Sequence, residues 1–383
     1  EMTSEEKALF SSEERKQTKI AVPIEKIQLD QKSILNMRDI DASASGILSG
    51  PKAANLGQLK KMFPDHVVEG LVIPFGIFRD HMNLPMPGQG KSYWEFLTEM
   101  FETAEAKRQA GTPDAQVVDY QLAKLATLRD AINAMQLKPA FISELRNSFA
   151  SIFGKPIGQA PVFLRSDTNM EDLKEFTGAG LNLTLFNVVE EQKILDGIKK
   201  VWASPYTERS FKWRQVYLSN PENVFPSILV IPSVDVDYSG VMITKGINEG
   251  TDEDLTVAFS RGAGGAVDGQ AAETRLVTAN TTKLLAPARQ PDYIRLPVSG
   301  GTKGYSTSFE ASILNEKNIQ SLREVAEEIR SKIPEETNSD PKAAYDVELG
   351  FQDDKLWLFQ IRPFVENKNA LSNGYLDSIS PKT

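Results

Sequence analysis

The segment from Ala344 to Arg362 holds the densest set of groups able to handle phosphate and metal. It reads AYDVELG, a turn at FQDD, then KLWLFQIR. Alternate side chains of a strand share a face, so Asp346 and Glu348 point one way, as do Gln360 and Arg362. A turn centred near Asp353 predicts Asp346 opposite Gln360, with Val347, Leu349, Phe359 and Ile361 packing on the other face. Two carboxylates on one face repel each other unless a cation sits between them. Mg²⁺ suits that place, because it takes one or two carboxylates together with phosphate oxygens. The same pattern also describes an amphipathic hairpin with a solvated polar face, and the segment alone leaves both readings open.

Other segments carry weaker signals. Arg165-Ser166-Asp167 follows a short apolar strand. An arginine at a strand end can grip phosphate with two N–H groups, or pair with Asp167 or Glu171. Lys52 opens a predicted helix, where its charge opposes the helix dipole but would add to an anion site at that N-terminus; the alternative is an exposed lysine. Gly178-Ala179-Gly180 and Gly262-Ala263-Gly264-Gly265 could bring backbone N–H groups close to phosphate or simply turn the chain. The two histidines, His66 and His81, have no matched nucleophile or metal partner nearby in sequence and read as surface or packing residues.

These groups need elements to hold them. Residues 52–63 read as a helix, with Ala53, Leu56, Leu59 and Met62 at helical spacing and Pro64 as its stop. LVIPFGIF (71–78) reads as a buried strand interrupted at Pro74, and 84–90 as a turn-rich break. Three helices are predicted over 91–109, 114–136 and 138–153. A strand over 161–165 leads to a polar loop, and 190–218 reads as helical with Ile194, Ile198, Val201 and Trp202 on one face. Short β-like runs follow at 226–231, 240–244, 255–260, 273–278 and 292–297. Ile319, Leu322, Val325 and Ile329 mark an amphipathic helix over 315–332, before the closing strands at 343–350 and 355–361. The expected organisation is a mobile leader over 1–20, a helix-rich lobe over 21–225, a strand-rich lobe over 226–366 and a polar tail. The predicted fold class is therefore α+β with two lobes.

Composition narrows the function. The 383 residues carry 43 Lys+Arg against 52 Asp+Glu, a net charge of −9. That excess argues against a nucleic-acid or anionic-membrane surface as the main partner. No apolar run approaches the ~18–20 residues that span a bilayer. Cysteine is absent, which removes thiol catalysis, disulfides and zinc–thiolate sites. The N-terminal residues lack a signal-peptide pattern and do not start with Met, so a cytoplasmic fragment or processed product is expected.

Six stretches taken in order resemble a known family: GPKAANLGQLKKMFP (50–64), GLVIPFGIF (70–78), PVFLRSDTNMEDLKEFTGAGLNLTLFNV (161–188), VWASPYTERSFKWR (201–214), VDYSGVMIT (236–244) and YDVELG…LFQIRPF (345–364). The chain is similar, over about residues 45–365, to the ATP-grasp-type nucleotide-binding domain of phosphoenolpyruvate synthase, pyruvate phosphate dikinase and the glucan water dikinases. RSDTNMEDLKEFTGAG and VIPFGIF look closer to the glucan dikinase branch than to pyruvate phosphate dikinase. The resemblance implies a two-lobed ATP-grasp-like fold that binds Mg·ATP and sends the β-phosphoryl group to a histidine on a separate domain, with AMP and phosphate as products. By position it implies phosphate contacts from Lys52 and Arg165, a covering loop at Gly178–Gly180, Mg²⁺ at Asp346 and Glu348, and a phosphate and catalytic role for Gln360 and Arg362.

The sequence departs from the family in three places. The strand that carries a glutamine in the family's adenine hinge here reads LVIPSV, with Ile231-Pro232 near that place, and proline offers no N–H. The family's GxGE segment here reads Gly262-Ala263-Gly264-Gly265, without the acid. Neither histidine lies in the threonine–histidine context of the phosphoryl acceptor, so the phosphohistidine-bearing domain is expected outside this chain. A nucleotide-binding half-enzyme is the leading expectation. A catalytically silent nucleotide-binding module and a scaffold that has lost ATP are the alternatives.

Overall fold

The computed structural model describes residues 19–173, 182–247, 249–265, 272–308 and 311–365. They form two compact units. One runs to Asp235 and includes Leu296–Lys303; the other holds Val236–Arg295 and continues from Gly304.

The first unit is a five-stranded sheet clad by helices. Its strands are β1 (Leu35–Asn36), β2 (Leu71–Ile73), β3 (Val162–Thr168), β4 (Thr184–Val188) and β5 (Pro226–Pro232), in the order β1-β2-β5-β3-β4. Its helices are α1 (Pro51–Met62), α2 (Phe75–Met82), α3 (Tyr93–Gln109), α4 (Asp114–Asn133), α5 (Pro139–Phe153), α6 (Glu191–Ala203) and α7 (Glu208–Tyr217). Ile194, Ile198, Val201 and Trp202 of α6 are buried to within a few percent in the unit's main apolar cluster, which also takes Phe75 and Phe78 of α2 and Leu164 of β3. Full burial of a side chain this large contributes ~1.5–3 kcal/mol.

Several boundaries differ from the sequence reading: β3 runs on to Thr168, and β5, expected in the strand-rich lobe over 226–366, belongs to the first unit. LVIPFGIF is not one strand: Leu71–Ile73 is β2, and Pro74 is the N-cap of α2. Proline's fixed φ, −72° here, launches the helix rather than bending the strand. The stretch 190–218 is two helices, separated by a short 3₁₀ turn at Ser204–Tyr206 that contains Pro205.

The second unit is a six-stranded antiparallel sheet. Its strands are β6 (Tyr238–Ile243), β7 (Leu255–Arg261), β8 (Glu273–Val277), β9 (Thr282–Ala286), β12 (Tyr345–Gln352) and β13 (Lys355–Pro363), in the order β13-β12-β6-β7-β8-β9. A separate ribbon pairs β10 (Asp292–Arg295) with β11 (Lys303–Ser306). Helix α8 (Glu316–Thr337) buries Ile319, Leu322, Val325 and Ile329 and is capped by Asn315. Arg323 and Arg330 of α8 donate to Thr278 and Thr244 carbonyls and tie it to the strand ends.

His81 is a packing residue. It is 1% exposed, against the rings of Phe141 and Trp202. Its Nδ1 lies 2.9 Å from the Ile77 carbonyl and so carries the proton, while Nε2 accepts from Lys138 N at 3.2 Å. Both ring nitrogens are used by the neutral form, and burial pulls the imidazole pKa below its ordinary value. A base with a depressed folded-state pKa binds fewer protons folded than unfolded, so its contribution is present above the unfolded pKa of about 6.5 and lost as pH falls below it. Urea midpoints measured from about pH 7 down to about pH 5 should therefore fall more steeply in the wild type than in His81→Gln. The variant should lose about 1–2 kcal/mol at neutral pH, since glutamine supplies the same donor and acceptor on a different frame. Parallel slopes would clear His81 of this role.

Candidate nucleotide-binding site

In the first unit the site residues are organised by Asp167. Helix α1 begins at Gly50-Pro51 with no capping side chain of its own. Its cap comes from β3: Asp167 Oδ1 accepts from Lys52 N and Oδ2 from Ala53 N, both at 2.9 Å. A carboxylate at a helix N-terminus satisfies orphan donors and complements the dipole. A Cβ at Gly50 would lie 2.3 Å from Asp167 Oδ1, so only glycine lets the strand come this near. Ser227 of β5 closes the knot, accepting from Gly50 N and donating to the Asp167 carbonyl. The N–H groups expected to meet an anion are thus already taken by this carboxylate.

Lys52 is not an exposed helix-end lysine; it is 8% exposed. Its Nζ donates to the Ser166 carbonyl at 2.7 Å and to Glu171 Oε2 at 2.6 Å. Glu171 Oε1 in turn accepts from Thr168 N. Burial pushes the Asp167 carboxyl up and Glu171 adds to the shift, against Lys52 and the two helix N–H donors. Arg165 is also buried, paired across the sheet with Leu229 of β5 and Thr184 of β4. Strand alternation puts it on the same face as Asp167. The sequence offered Asp167 or Glu171 as an alternative partner for Arg165; in the structure Asp167 caps α1 and Glu171 pairs with Lys52. An uncapped Gly-Pro helix start was the available signal that a carboxylate from elsewhere must complete α1. Gly178 and Gly180 lie outside the described residues.

In the second unit the candidate residues lie on the β12–β13 hairpin. Asp353 and Asp354 both have positive φ, 50° and 62°, which is the two-residue turn that suits a tight hairpin. It sets Gln352 against Lys355, and pairing runs evenly to Leu349 opposite Leu358. An extra residue in β13 then shifts the register, so Glu348 faces Gln360 and Asp346 faces Arg362. This corrects the expected Asp346–Gln360 pairing, for two reasons: the turn is centred between Asp353 and Asp354 rather than at Asp353, and the bulge, which the sequence does not announce, adds a further shift. Phe359 is the extra residue. It does not join the core face: a Cβ on Gly350 would meet its Cε2 at 3.2 Å, on the side shared by Glu348. Val347, Leu349, Leu358 and Ile361 are buried as a core face should be.

The four polar groups therefore stand in two cross-strand pairs on one surface. Arg362 Nε and Nη2 donate to Asp346 Oδ2 at 2.8 and 2.6 Å. Gln360 is buried and Glu348 half-buried. Among the described residues no three His, Cys, Asp or Glu side chains cluster as metal ligands. The hairpin offers two carboxylates and an amide, all hard oxygen donors, which fits Mg²⁺ only if phosphate oxygens complete its shell. The second glycine cluster is used structurally at its start. Gly262 N donates to the Asp237 carbonyl and Ala263 N to that of Ile294, and a Cβ on Gly262 would lie 2.2 Å from Ile294 O.

The fold is of the ATP-grasp-like α+β class. The family model described as "Pyruvate phosphate dikinase, AMP/ATP-binding domain" matches residues 46–378, and the chain belongs to that family. Among curated relatives, a probable phosphoenolpyruvate synthase of Methanothermobacter thermautotrophicus is 25% identical over 289 residues, covering 76% of this chain and 36% of that protein. One from Pyrococcus abyssi is 27% identical over 261 residues, covering 64% and 31%. Rifampicin phosphotransferase of Bacillus cereus is 23% identical over 335 residues, covering 86% and 35%. The chain thus spans about a third of the length of these relatives.

The buried Lys52–Glu171 pair gives a stability prediction. Removing one partner of a buried ion pair leaves an uncompensated charge, at a cost of about 3 kcal/mol. Lys52→Met and Glu171→Gln should each lose about that much in urea unfolding. The double variant should lose at least about 1 kcal/mol less than the two added together. Strict additivity would mean that the two side chains do not stabilise one another.

Proposed function

We propose that this chain is the Mg·ATP-binding part of a dikinase-type phosphotransferase. The observation that carries this reading is the pairing of Asp346 with Arg362 and Glu348 with Gln360 on one face of the β12–β13 hairpin. In the proposed half-reaction ATP, water and a histidine give AMP, phosphate and phosphohistidine, the β-phosphoryl going to the histidine and the γ-phosphoryl to water. Phosphoryl transfer asks the protein mainly for positioning and charge neutralisation.

Lys52 and Arg165 would hold phosphate oxygens, and Gly178–Gly180 would offer backbone N–H groups to them. Asp346 and Glu348 would hold Mg²⁺, which when bound supplies charge neutralisation and a bridge between phosphate oxygens. Gln360 and Arg362 would orient the transferring group. The histidine would come from a domain or partner beyond this chain, and the final acceptor would be chosen there; pyruvate, a glucan and a small molecule such as the substrate of the rifampicin enzyme are all compatible. A catalytically silent nucleotide-binding module is the second reading. It is favoured by Pro232, which stands in β5 opposite Val162 and has no N–H to offer an adenine ring.

Isothermal titration of Mg·ATP into the wild type and Glu348→Ala tests the binding claim. Mg-dependent binding weakened at least about tenfold in the variant, some 1.4 kcal/mol, is expected. Equal binding by both would remove the hairpin from the site. AMP formation when a histidine-bearing domain from a relative is supplied would support transfer. Binding without AMP under those conditions would favour the silent module.

A further inference from the structure

We propose that Arg362 is a built-in occupant of the cation position at Asp346, and that a divalent cation and the guanidinium exchange there. The inference rests on the hairpin being the metal site, and it adds a step that this reading does not contain.

Three observations carry it. Arg362 directs two N–H groups, Nε and Nη2, to the single oxygen Oδ2 of Asp346. The two residues are direct cross-strand partners only because the bulge at Phe359 shifts the register. The two side chains also differ sharply in exposure, 13% for Asp346 and 62% for Arg362. The carboxylate is fixed in the sheet, while the guanidinium lies on the outside and can leave without opening a cavity.

The physical reason for the pairing is charge. Asp346 and Glu348 sit two residues apart on one face, and a half-buried carboxylate beside another needs a positive neighbour. Arg362 supplies it. A divalent cation between the carboxylates meets that need more fully and repels the guanidinium at the same time. Arg362 then carries its N–H donors, with no acceptor of its own, on the face where metal-bound phosphate oxygens would lie. Metal arrival thus turns an internal ion pair into a phosphate-binding arm. Until then Arg362 weakens binding of a bare cation.

Mn²⁺ alone is the probe, with free Mn²⁺ read by electron paramagnetic resonance and no turnover required. Wild type, Arg362→Gln, Arg362→Lys and Asp346→Asn are compared, all at surface or partly exposed positions. An ion pair with one exposed partner is worth up to about 1 kcal/mol, so Arg362→Gln should bind Mn²⁺ about two- to fivefold more tightly than wild type. Arg362→Lys should also bind more tightly, because lysine keeps the charge but loses the forked contact. Asp346→Asn should lose most of the binding. Wild-type affinity in Arg362→Gln overturns the exchange while leaving the metal site standing. Tightening in Arg362→Gln with wild-type affinity in Arg362→Lys also overturns it, as general charge repulsion would then be sufficient. Unchanged binding by Asp346→Asn places the ion elsewhere. Mn²⁺ bound by none of the chains, either alone or with ATP present to supply phosphate oxygens, removes the metal-site reading itself, and the exchange with it.

Discussion

The register of the β12–β13 hairpin governs the chemistry available to the second unit. Two consecutive aspartates in the left-handed region make the turn, and they are held there from outside. Asp353 N donates to Asp237 Oδ2, and the Asp354 carboxylate accepts from Asn315 and Asn318 at the start of α8. Left-handed backbone is tolerable for aspartate, whose short side chain can bond locally. One added residue at Phe359 then moves every later pair by one. Without it, Arg362 would not face Asp346, nor Gln360 face Glu348.

The first unit relies on a different device with the same logic. A strand carboxylate, Asp167, completes a helix that cannot cap itself, and Glu171 a few residues on fixes the lysine of that helix. Helix, strand and side chain are thereby locked as one object around Lys52. In both units a cation proposed to meet phosphate is held by a carboxylate of its own unit. Such pairing neutralises cations that would otherwise stand alone in their units. On the proposed reading, nucleotide binding redistributes existing ion pairs rather than filling bare charges.

Family membership and local geometry support each other unevenly. The match runs over residues 46–378 and so includes both units. Pro232 removes a donor from β5, and the Gly262–Gly265 run carries no acid. A fold can persist through such changes while its chemistry does not, which is why binding and transfer call for separate measurements.

Much of the fold was legible in residue pattern. Ile319, Leu322, Val325 and Ile329 mark α8 because one helical face must be buried, and all four are. Strands β9 and β11 left no such trace: Thr282–Ala286 lies at a sheet edge, half exposed, and Lys303–Ser306 is exposed throughout. Backbone hydrogen bonds hold them, and these are blind to side-chain type. By itself the sequence determined the residue types and their local alternation, and hence that Asp346 and Glu348 share a face. Which residue stands opposite each, and that Asp167 and Glu171 serve Lys52, was decided only by tertiary structure. A bulge and a contact across more than a hundred residues depend on where distant backbones meet, and no local pattern encodes that.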